Sequence, residues 1–82
     1  MNREFILINL KEAQEELSRT IQEIENNSEY DPGEYFVAMQ HLYHHINTAW
    51  NIRDSDSIRA EICSEDDFRK WRQFPSDIDM SC

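Results

Sequence analysis

Three features of this sequence predict an all-α fold: an antiparallel helical hairpin followed by a short C-terminal helix. Large apolar residues recur every three or four positions through most of the chain, the period of a helix with one buried face. One glycine and two prolines stand in 82 residues, whereas sandwiches and barrels need turn residues about every 8–12 positions. A strong helix-start signal, Asp31-Pro32-Gly33-Glu34, divides the periodic region in two.

The first helix is expected from about Arg3 to Glu25. Ile6, Leu10, Ala13, Leu17, Ile21 and Ile24 form its apolar stripe, with Leu7 and Thr20 on the shoulders. Glu12, Glu15, Arg19 and Gln22 take the far face, and Glu15 precedes Arg19 by four, the favoured order for an ion pair. Phe5 and Ile8 lie off the stripe, so the first turn is expected to pack against a further element or a partner chain.

Residues 26–30, Asn-Asn-Ser-Glu-Tyr, form the break. The second helix then starts with Asp31 as N-cap, Pro32 at the first helical position and Glu34 where a capping box places its acid. Its predicted core face is Phe36, Met39, Tyr43, Ile46 and Trp50, flanked by Tyr35, Leu42 and Ala49. It is expected to end between Asn51 and Asp54. So short a break makes the two helices antiparallel neighbours.

Beyond it, residues 57–62 read as one or two helical turns with Ile58 and Ile62 facing inward. Ser64-Glu65-Asp66-Asp67 reads as a capped helix start, with Phe68, Trp71 and Arg72 following and Phe74-Pro75 as the stop. Residues 1–75 are expected to form one domain and 76–82 a loose tail.

The predicted stripe on the second helix is wider than one neighbour can cover. Small chains often complete their cores by association, so a homodimer closing into a four-helix bundle is expected. The alternative is a three-helix monomer whose core is closed by Phe68, Trp71 and Phe74.

Charge narrows the partners. The net charge is −9, and the longest basic cluster is Arg69-Lys70 with Arg72. Phosphate-backbone binding needs clustered Lys and Arg, so nucleic acid and anionic membrane are not expected. A basic protein surface is the complementary partner. The opening Phe5-Ile6-Leu7-Ile8 run is too short for a signal peptide, and no window reaches the length of a membrane span. Cys63 and Cys82 do not form a metal-type or disulfide framework. Reduced thiols and a cytoplasmic location are the expectation.

The densest set of coordinating side chains is His41, His44 and His45. His41 and His45 are four apart, the spacing at which two helical histidines share one metal, and they are the candidate metal ligands. His-Leu-Tyr-His-His is not the zincin His-Glu-x-x-His, and neither a third ligand nor any cofactor is predicted. Glu12, Glu15 and Glu16 resemble half of a magnesium site, but the second helix has no acid between Glu34 and Asp54 to supply the other half. Cys63 stands among Glu61, Glu65, Asp66 and Asp67, which suppress a thiolate. No catalytic constellation results.

The candidate binding residues are His44, Asn47, Asn51, Arg53, Trp71 and Arg72. Asn47 and Asn51 are poor mid-helix choices, so each is expected to make an interhelical hydrogen bond or to meet a ligand. Trp71 and Arg72 are residue types that anchor interfaces. The expected function is protein–protein interaction: an adaptor, or an inhibitor of the immunity-factor kind, that binds a basic target. Metal or small-ligand binding through the histidines is the alternative, and an enzyme with a composite site across a dimer is the third.

Overall fold

The computed structural model describes residues 1–81, so Cys82 lies outside the described residues. Four helices follow in order: α1 (Arg3–Asn26), α2 (Pro32–Asn51), α3 (Ser57–Ile62) and α4 (Glu65–Trp71). No strand occurs among the described residues. The long helices α1 and α2 pack antiparallel, and α4 folds back on α2. No helix among the described residues is long and apolar enough to cross a membrane.

The helix starts arise from local chemistry. Asp31 accepts the Glu34 amide at 2.8 Å, which satisfies one orphan N–H of the first turn. A Cβ on Gly33 would stand 3.2 Å from the same Asp31 oxygen, so the glycine gives the cap room. Asp56 caps α3 through the Ile58 amide at 2.7 Å, and Ser64 caps α4 through the Asp67 amide at 3.2 Å. Between them Cys63 takes the left-handed conformation, φ 45°, that terminates α3 and turns the chain.

Packing concentrates at one end of the hairpin. Ile52, Ala60 and Trp71 form the buried cluster, with Phe5 of α1 packed against it. That places the first turn of α1 against a further element of its own chain, the first of the two fates expected for Phe5. The Asn2 amide donates to the Arg53 carbonyl at 2.7 Å, tying the start of α1 to the exit of α2. Arg59 holds Asp67 with two hydrogen bonds of 3.0 and 2.6 Å, which clamps α3 to α4.

The predicted faces need correction. On α1 the buried residues are Ala13, Glu16 and Thr20, while Leu10, Leu17, Ile21 and Ile24 remain 44–50% exposed. On α2 they are Ala38, Asn47 and Ala49, while Tyr43 and Ile46 are exposed and Phe36 is 65% exposed. The contact line of α1 is therefore turned by roughly 70° from the centre of its apolar stripe, at 100° per residue. Small side chains explain the shift: Ala13, Ala38 and Ala49 let the backbones approach closely and leave the large residues on the flank. Ile58 and Ile62, expected inside, are exposed, because α3 turns Ala60 to the cluster instead. Arg19 pairs with Glu16 one turn away in place of Glu15.

Ile52 is the most buried large side chain, 2% exposed, so Ile52→Ala is expected to cost about 2–5 kcal/mol. Ile62→Ala, at an exposed site, is expected to cost less than about 0.5 kcal/mol. Urea unfolding of both variants checks this; equal costs would place α3 wrongly.

Candidate functional site

The three histidines project from the side of α2 that faces the charged flank of α1. A cleft of about 610 Å³ lies there. Glu12, Glu15, Glu16 and Arg19 line it from α1, and Gln40, His41, His44 and His45 from α2. Phe68 and Arg72 close it from α4 and its exit.

Each histidine has a different environment. His41 Nδ1 stands 3.9 Å from Glu16, whose carboxylate also pairs with Arg19. His45 Nδ1 is 3.2 Å from Asn9 Oδ1. Asn9 donates from its amide nitrogen to the Phe5 carbonyl at 3.0 Å, which leaves its Oδ1 turned toward the His45 ring. His44 is half-buried, with its ring 5.0 Å from Phe68 and 4.7 Å from His45. Its Nδ1 is enclosed without a hydrogen-bond partner. Burial, followed by the like charges of His45, Arg72 and His41, holds the His44 imidazole below its ordinary pKa.

The candidate ligands His41 and His45 thus each have a neighbour on α1. No group of three His, Cys, Asp or Glu side chains among the described residues is arranged to hold a metal ion.

The polar residues at the exit of α2 have structural partners. Asn47 donates to the Arg72 carbonyl at 3.0 Å. Asn51 donates to the carbonyls of Trp71 and Gln73 at 2.6 and 2.8 Å. These are interhelical hydrogen bonds that satisfy the open C-terminus of α4. Trp71 is 5% exposed and belongs to the buried cluster. Arg72 lies over the Phe68 ring at 5.3 Å and reaches the cleft.

Arg53 lies 3.9 Å over the Trp50 ring, away from the cleft. Within the stretch expected to be loose, Asp77 accepts from Trp50 Nε1 and from Arg53, both at 2.8 Å. Those two hydrogen bonds, the indole's first, hold the Asp77 carboxyl below its usual range.

Of the predicted residues, the structure gathers His41, His44, His45 and Arg72 around one cleft and leaves Arg53 elsewhere. Sequence reasoning took the α1 glutamates and the α2 histidines as separate sets and missed that they share the cleft. The register could have revealed it, since both sets lie on the same side of their helices relative to the hairpin seam. Phe68 and Asp77 were not anticipated as partners of His44 and Trp50.

Comparison with protein-family models, with characterised proteins and with solved structures finds no match to this chain.

Two outcomes follow from this geometry. The folded chain holds His44 below its unfolded value of about 6.5, so the unfolded state binds more protons there as pH falls. This contribution leaves stability intact above about pH 6.5 and erodes it below. The thermal midpoint is expected to fall between about pH 7.5 and 5.5, and to fall less in His44→Gln; identical losses would sink the assignment. Asn51→Ala removes the donor to two carbonyls at the end of α4. Amide exchange across Glu65–Trp71 is expected to quicken about fivefold or more, with the middle of α1 unchanged.

Proposed function

We propose that this chain is a small binding protein, an adaptor or an inhibitor of the immunity-factor kind. Its charged cleft side receives a basic segment of a protein partner. The observation that carries this reading is the cleft between α1 and α2, a concave, solvent-open site where Glu12, Glu15 and Glu16 outnumber Arg19 and Arg72 and stand beside three histidines. Concavity restricts the approach of a partner, and negative potential concentrated in a cleft raises the local density of a cationic group. Arg72 already lies over the Phe68 ring at 5.3 Å and closes that end of the cleft, which leaves the α1 carboxylates as the groups that meet a cationic side chain.

Charge over the rest of the chain favours the same class of partner. With a net charge of −9, encounter with a basic surface is accelerated and encounter with phosphate backbones is opposed. The function is binding, with no bound metal or cofactor required for it, and its setting is the cytoplasm, where Cys63 stays a thiol.

A fluorescent Arg/Lys-rich peptide titrated with the full chain tests the proposal by polarisation. Affinity is expected to fall at least about tenfold between about 50 and 300 mM salt. It is expected to fall further in Glu12→Gln/Glu15→Gln, and not in Glu61→Gln/Glu65→Gln, which removes the same charge from α3 and α4. Equal loss in both variants would show bulk charge at work and overturn the cleft as the site.

A further inference from the structure

The opposite side of the hairpin is apolar, and we infer that a second copy of this chain covers it, making a two-fold four-helix bundle. Leu10, Leu17, Ile21 and Ile24 of α1 and Tyr35 and Ile46 of α2 each remain 42–50% exposed. By their helical positions all six lie on the flank away from the cleft.

The register of the hairpin arranges these residues in rungs. The pairs His45–Asn9 and His41–Glu16 fix which residues are level across the seam. Leu10 is then level with Ile46, Leu17 with Met39, and Ile21 with Tyr35. Successive positions on this face are about 6–10 Å apart along the helix axis, which makes it a continuous strip rather than scattered apolar residues.

Three considerations select a second copy as the occupant. The first is area. Six large side chains left nearly half exposed present on the order of 500 Å², before Met39 and Leu42 are added, against roughly 800 Å² per partner in a standard interface. The second is charge. From Tyr35 to Trp50 the chain has no Asp, Glu, Lys or Arg, so an occupant must itself bring an uncharged helical face. This chain has such a face, and an isologous interface requires that kind of self-complementarity. The third is repulsion. Two copies at −9 each would repel, but Glu12, Glu15 and Glu16 line the opposite side and stay outside the bundle.

The Leu17–Met39 rung is the middle one, so the two-fold axis passes near it. The Leu10–Ile46 rung of one copy then meets the Ile21–Tyr35 rung of the other, at the roughly 20° crossing of helix bundles. Both clefts remain on the outside, which makes the dimer bivalent toward a repetitive basic partner. This inference stands apart from the cleft proposal, and each can fail without the other.

Sedimentation equilibrium of the full chain tests it. A mass twice 9.9 kDa is expected, with a thermal midpoint that rises as concentration is raised from about 5 to 200 µM. Leu17→Glu should weaken association roughly 100-fold with helicity retained, because its site is already half exposed in one chain. Ile62→Glu, exposed on α3 and off the strip, should leave association intact. A mass of 9.9 kDa throughout, a concentration-independent midpoint, or a dimer indifferent to Leu17→Glu would overturn the inference. Peptide binding that survives in the Leu17→Glu monomer leaves the cleft proposal standing.

Discussion

Close approach of two helix backbones across an alanine-lined seam is the constraint from which the rest of this structure follows. Ala13 on α1 and Ala38 and Ala49 on α2 are buried, and Thr20 is the other small buried group of α1. Glu16 and Asn47 are buried with these small groups, whereas Leu10, Leu17, Ile21 and Ile24 of the apolar stripe are not. The large residues are displaced to one flank and the charged residues to the other, and two chemically opposite faces result.

The second half of the chain works as a brace across the open end of the hairpin. Ile52, Ala60 and Trp71 enclose a small cluster against Phe5, and burial of these side chains supplies most of the non-polar stabilisation there. Hydrogen bonds give the brace its direction. Asn47 and Asn51 bind carbonyls that α4 leaves unpaired, so two residues that weaken a helix locally define where another helix ends. That placement sets Phe68 against His44 and Arg72 at the edge of the cleft.

Inside the cleft the three histidines are unequal despite their adjacency in sequence. His45 is oriented by Asn9, His41 stands beside a carboxylate, and His44 is desolvated against an aromatic ring. Burial and the neighbouring like charges hold the His44 imidazole below its ordinary pKa. A cationic group entering the cleft meets carboxylates from α1 and at least one uncharged imidazole from α2.

The helices were legible in the sequence because their signals are local. Apolar periodicity, the Asp31-Pro32 start, the Ser64 cap and the turn residues between them act within a few residues of chain, and the elements fall where these signals place them. The faces were not legible in the same way. Periodicity finds the centre of the apolar arc, which is the contact line only when a helix has a single neighbour. Here the alanine edge of each arc packs within the hairpin and the large-residue part does not, so Leu17 and Ile46 read as core and stand exposed. The shared cleft of Glu12 and His44, and the bond from Trp50 to Asp77, join residues about 30 positions apart. The amino-acid order alone determined which segments coil and where each begins. Only the tertiary structure decided which side of each coil is hidden, because that choice depends on how closely two backbones approach, a property of the pair and of neither helix alone.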